Sequence, residues 1–197
     1  MTAHGLRALA GCRLAAVDLG PRYTGLALRT ARLEGARPYG VIERVTRERR
    51  SAGRSEEPWR WVLRTEHATS SRQFHFASQG DALQHVLCEQ NVAAVVVGMP
   101  YLADGSYSKQ CAAVERRVHQ LQAEWTRQVP ILLWDESYST KIALASHRAG
   151  RDRAHSVHAR AACVVLEEVL EALFPLEVSA SQDPMAPLRE RVCVPEL

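Results

Sequence analysis

Residues 92–97 read Val-Ala-Ala-Val-Val-Val, with no polar position, and Gly98-Met99-Pro100 follows at once. Six residues is strand length. A strand without a polar face has nothing to offer water, and such strands lie inside parallel sheets covered on both sides. The run commits the chain to sheet-and-helix layers.

The surroundings fit that demand. Ala82, Leu83, Val86 and Leu87 have helical spacing, and Asn91 ends their helix. A second helix is expected over about 108–127, with Val114, Val118, Leu121 and Trp125 on one face. Pro130 opens a strand over 131–134, which ends at Asp135-Glu136. Ser139 and Thr140 can cap a short helix to about residue 147. The last helix buries Ala161, Ala162, Val165, Leu166, Val169 and Leu173, and Pro175 stops it. Upstream, 14–17 and 23–28 read as strands joined by a tight Gly20-Pro21 turn, with a third strand over 39–45. The expected fold class is therefore α/β: an antiparallel three-strand meander followed by parallel βαβα units in one mixed sheet, with helices on both faces. The crossover rule puts the strands ending near Gly98 and Glu136 beside the first strand.

Between about 46 and 78 the pattern breaks. Arg47, Arg49, Arg50 and Arg54 alternate with Glu48, Glu56 and Glu57, and Trp59-Arg60-Trp61 follows. This stretch reads as an insertion, part loop and part hairpin, with 73–76 as the partner strand. It contributes little to the apolar face pattern. The expected organisation is one domain over 12–174 containing that insertion, then a mobile tail over 175–197.

Composition narrows the classes. With 46% hydrophobic and 24% charged residues a packed core is expected. No apolar run approaches the roughly 18 residues of a membrane helix, so no membrane partner is expected. The net charge of +3 permits nucleic acid. Five cysteines, none in a C-x-x-C pair, argue against a disulfide framework or structural zinc and for a reducing compartment: the cytoplasm, or an organelle matrix. Residues 6–10 are too short for a signal-peptide core, so the N-terminus is expected to be a plain extension.

Chemistry concentrates at strand ends. Open sheets bind ligands beyond the carboxyl ends of their strands, where Asp18 and Glu136 both lie. Two acids brought together there repel, and a proton or a divalent cation resolves the conflict. Mg²⁺ prefers such oxygen ligands. Since adjacent strand residues face opposite ways, only one of Asp135 and Glu136 can face the site.

Four blocks resemble one family. Ala16-Val17-Asp18-Leu19-Gly20 with Gly25-Leu26-Ala27-Leu28 is similar to the first hairpin of the YqgF/RuvX proteins, a branch of the RNase H-like superfamily. Val95-Val96-Val97-Gly98-Met99-Pro100 with Asp104-Gly105, then Leu133-Trp134-Asp135-Glu136 with Ser139-Thr140, then Ala161-Ala162 with Val165-Leu166, resemble its later signatures in order. The resemblance implies an RNase H-like fold and a metal-dependent nuclease maturing the precursor of small-subunit (pre-16S) rRNA on a ribosome precursor. Older usage calls such proteins Holliday junction resolvases. Structured RNA is the implied substrate, with branched DNA the alternative. A non-catalytic nucleic-acid-binding or ribosome-assembly protein of the same fold is the rival.

Carried over by position, Asp18 is the first-strand acid and Glu136 the strand-end acid. His158 stands where the family has an Asp, and Ser137 where it has an Arg. Histidine also ligates first-row metals, which makes Asp18, Glu136 and His158 the catalytic and metal-binding set, with Asp152 in reserve. Two Mg²⁺ or Mn²⁺ ions roughly 3.5–4 Å apart would be held there. Gly20, Gly98, Gln110, Thr140 and Arg60 are the candidate substrate contacts. Arg116 and Arg117 read as a solvated helix face.

Overall fold

The computed structural model describes residues 9, 11–29, 35–45, 60–65, 74–102, 104–136 and 154–173. Seven strands form one sheet: β1 (Leu14–Leu19), β2 (Tyr23–Arg29), β3 (Arg37–Val45), β4 (Arg60–Thr65), β5 (Phe74–Phe76), β6 (Ala94–Met99) and β7 (Ile131–Asp135). Their order is β5-β4-β3-β2-β1-β6-β7. β1 to β5 are antiparallel to their sequential neighbours, while β6 runs parallel to both β1 and β7. The described helices are α1 (Gln79–Glu89), α2 (Lys109–Glu124) and α3 (Ala154–Leu173). None is long and apolar enough to cross a membrane. The mixed sheet, the meander and the helices on both faces follow the pattern expected from the sequence. The short helix expected over 139–147, the tail, and most of 46–73 lie outside the described residues.

Local chemistry sets the helix starts. Ser78 and Asp81 form a reciprocal capping box at α1, each side chain accepting from the other's backbone N–H. The Ser108 hydroxyl accepts from the Cys111 N–H at 3.0 Å at α2. Asn91, in the left-handed region at φ 48°, turns the chain from α1 toward β6.

Alternation along the strands divides the core in two. Ala15, Val17, Val95, Val97 and Leu133 face α1 and α2, packing on Leu83, Val86, Val114 and Leu121. Leu14, Ala16, Ala94, Val96 and Leu132 face α3, packing on Ala162, Val165, Leu166 and Val169.

Two expectations are corrected. The strand before Glu136 is not beside the first strand: β6 lies between β1 and β7, so the two acids stand across an intervening strand. Each βα unit adds its strand outward on the sheet edge, where hydrogen-bonding groups are free. The hairpin expected within 46–78 is present, but the expectation that this stretch contributes little to the apolar face pattern is not met. β4 and β5 extend the sheet as a hairpin, and Val62 and Leu63 are only 2% and 1% exposed. The charged residues around them mask that contribution in the sequence.

Candidate active site

Asp18, the fifth residue of β1, shares the α3 face with Leu14 and Ala16 by alternation. On β6 the same face carries Ala94, Val96 and then Gly98; on β7 it carries Leu132, Trp134 and then Glu136. Glu136 follows β7 directly, and its N–H donates to the Met99 carbonyl at 3.0 Å, extending the ladder by one residue. Asp135 is exposed on the opposite side. Of the two adjacent acids, Glu136 is therefore the one that turns toward Asp18.

Gly98 explains how Glu136 reaches inward across β6. A methyl group built on Gly98 would overlap the Glu136 carboxylate. The missing side chain is the space that carboxylate occupies. Its environment is hostile to charge: burial first, then the negative charges of Asp18 and Asp135, push the Glu136 carboxyl up to about 8.

His158 arrives from α3. Its Nδ1 lies 3.3 Å from Asp18 Oδ2, and in the tautomer protonated at Nδ1 it donates to that oxygen. The side chains are 36% and 20% exposed. Gly25 permits this approach. It sits directly opposite Asp18 in the β1–β2 register, and a methyl group on it would overlap the His158 backbone carbonyl. Small residues at Gly25 and Ala27 let α3 rest close on the sheet there. The Tyr23 ring stacks on the His158 ring, with centroids 5.2 Å apart and planes 22° from parallel.

The remaining sequence candidates divide. Gly20 follows β1 in the tight turn, where its N–H donates to the Tyr23 carbonyl at 2.9 Å. A side chain at Gly20 would meet that same carbonyl. Gln110 is exposed near the start of α2, at the same end of the sheet but on its other face. Arg60 opens β4 opposite Val45, also at this end, but three strands from β1, roughly 14 Å at ~4.8 Å per strand. Thr140, Ser137, Ser139 and Asp152 lie outside the described residues. Arg117 is not merely solvated: its Nε donates to Gln79 Oε1 at 2.7 Å. Gln79 is buried and also donates to Thr24 Oγ1, tying α1 and α2 to the hairpin that carries Asp18.

Sequence reasoning passes over Tyr23 and Gln79. Tyr23 is within its reach, since alternation from Gly25 puts residue 23 on the same face as Asp18. Gln79 carries no signal, because its role depends on contacts 55 and 38 residues away.

The donor chemistry of Asp18, Glu136 and His158 suits a divalent cation: two carboxylates that repel, and one imidazole. Among the described residues, no three His, Cys, Asp or Glu side chains are already grouped as a metal-ion site.

The sequence profile of the RuvX family, described as a Holliday junction resolvase, matches residues 61–172. A curated relative from Paraburkholderia phytofirmans, named "Putative pre-16S rRNA nuclease", is 26% identical over 160 residues, covering 81% of this chain and 88% of that one. A relative of the same name from Sinorhizobium medicae is 28% identical over 178 residues, covering 88% and 89%. Among solved structures, Thermus thermophilus RuvC aligns over 83% of this chain with a TM-score of 0.35 and 15% identity, covering 97% of that chain. The same protein in complex with a Holliday junction substrate gives a TM-score of 0.38 and 16% identity over 81% of this chain and 94% of that one.

Proposed function

The chain belongs to the RuvX family, and from that premise we propose that it is a divalent-metal-dependent endonuclease acting on pre-16S rRNA. The observation that carries this reading is the 3.3 Å approach of His158 Nδ1 to Asp18, with the buried Glu136 carboxyl within the electrostatic reach of Asp18 at the same end of the sheet. An acid made reluctant to ionise first by burial and then by neighbouring carboxylates is the electrostatic situation a cation relieves. The names of the relatives in Paraburkholderia and Sinorhizobium support the substrate.

Asp18 and Glu136 would offer oxygen ligands to Mg²⁺ or Mn²⁺, and His158 a nitrogen. When bound, the cation supplies an activated water and neutralises charge on the leaving oxygen. Asp18 has a second task, since its contact with Nδ1 orients the His158 ring. Gly98 keeps the Glu136 carboxylate inward, and Gly25 sets the depth of α3. Gly20, Gln110 and Arg60, all at this end of the sheet, are the candidate substrate contacts.

The test is a cleavage assay on a pre-16S rRNA fragment and on a four-way DNA junction, each with Mn²⁺, with Mg²⁺ and with chelator. Metal-dependent cutting of the RNA is expected. Cutting of the junction alone would move the substrate to branched DNA, and binding without cutting in any metal would leave a nucleic-acid-binding protein.

A further inference from the structure

We propose that Tyr23 is a positioning residue for His158, clamping the imidazole so that its ring is aimed at the Asp18–Glu136 end of the site. The proposal rests on the functional reading above but adds a residue to it. More than a third of the His158 side chain is exposed, so burial alone does not choose its rotamer. Two contacts restrain it: the 3.3 Å approach to Asp18 Oδ2 and the near-parallel stack on Tyr23. Both come from the β1–β2 hairpin, in which Tyr23 lies two residues before Gly25, the direct partner of Asp18. One hairpin thus supplies the acid, the clearing that admits α3, and the ring that holds the imidazole.

Tyr23 is itself held. The Arg22 guanidinium lies over its ring, 5.1 Å from the centroid. Arg22 Nη2 is 3.8 Å from Glu43 Oε1, and Arg64 Nε donates to Glu43 Oε2 at 3.3 Å. Glu43 is mostly buried and pairs with Tyr23 across the β2–β3 ladder. The support runs Arg64, Glu43, Arg22, Tyr23, His158, Asp18. A ring held by stacking and one hydrogen bond keeps a defined plane, and a misplacement of about an ångström in a reacting site costs up to ~100-fold in rate.

The experiment compares Tyr23→Ala and Tyr23→Phe by two readouts. The first is the His158 ring signal in the NMR spectrum of metal-free full-length protein, assigned with His158→Gln. In the parent it should show the upfield displacement of a proton above an aromatic face. Tyr23→Ala should move it to the free-imidazole position, and Tyr23→Phe should keep it displaced. The second is cleavage under saturating Mn²⁺. Tyr23→Ala should lower kcat by roughly 10- to 100-fold with KM within about twofold, and Tyr23→Phe should restore most of that loss. An unmoved His158 signal in Tyr23→Ala overturns the proposal, as does a parental kcat. If the parent cleaves nothing, the nuclease reading fails, and the three-bond couplings that report the His158 side-chain rotamer, expected to be single-valued in the parent and in Tyr23→Phe and averaged in Tyr23→Ala, still decide whether Tyr23 orients His158; unaveraged couplings in Tyr23→Ala overturn the proposal.

Discussion

The two faces of the sheet are built from alternate residues of the same strands, yet they differ in kind. Toward α1 and α2, β1 and β6 stay apolar to their carboxyl ends, through Val17, Val97 and Met99. Toward α3 the apolar rows stop one residue pair earlier. Ala16 gives way to Asp18, Val96 to Gly98, and Leu132 to Trp134 and Glu136, while Gly25 faces Asp18 on β2. One face is filled for stability. The other is emptied at one end, and the space goes to carboxyl groups and to a helix that brings a histidine. Period-two alternation lets the chain do both without compromise along a single strand.

The largest expected effect separates the faces by activity. Asp18→Asn and Glu136→Gln should each reduce cleavage by about 10³-fold or more while thermal stability is kept. Circular dichroism melts run beside the cleavage assay check both halves. Gly98→Ala comes next. The added methyl group has no room beside the Glu136 carboxylate, so the carboxylate must move, and activity should fall on the order of 100-fold under saturating Mn²⁺. Parental activity in Gly98→Ala would mean that the inward position of Glu136 does not matter. On the opposite face, Leu83→Ala should cost about 2–5 kcal/mol in a urea unfolding curve, with kcat of the folded protein unchanged.

A further effect is a pH dependence that belongs to the α3 face. In chelated protein the folded state keeps a proton on Glu136 up to about 8, whereas the unfolded chain releases it near the ordinary carboxyl value. Folding therefore takes up a proton between these values. This contribution is full below the ordinary value and is lost as pH rises through about 8. Melts in chelator should fall from about pH 5 to about pH 9, and Glu136→Gln should flatten that decline. An equal decline in the variant would assign it to other groups.

Much of the fold, and the placement of part of the candidate site, is legible in the sequence, for physical reasons that can be named. The apolar run before Gly98 suits only an inner strand, and β6 is buried at every position. Alternation limits the site to one of Asp135 and Glu136, and the family resemblance picks Glu136, the one that faces Asp18. The Gly20-Pro21 turn and the helical rows of α1, α2 and α3 are plain because each is a local signal. The order of β1, β6 and β7 is not plain, since pairing is decided by edges and crossovers rather than by pattern. Val62 and Leu63 are hidden because two buried residues in a charged stretch carry little periodic signal. The Tyr23–His158 stack joins residues far apart in the chain, and only packing brings them together.

The central claim is that Asp18, Glu136 and His158 act together in binding a divalent cation. Titration calorimetry of Mn²⁺ into the full chain tests it without a substrate, using the parent, Asp18→Asn, Glu136→Gln and His158→Ala. The expected result is a saturable heat in the parent that weakens at least tenfold in affinity in each variant, a loss of about 1.4 kcal/mol or more. Undiminished Mn²⁺ affinity in all three variants would contradict the claim.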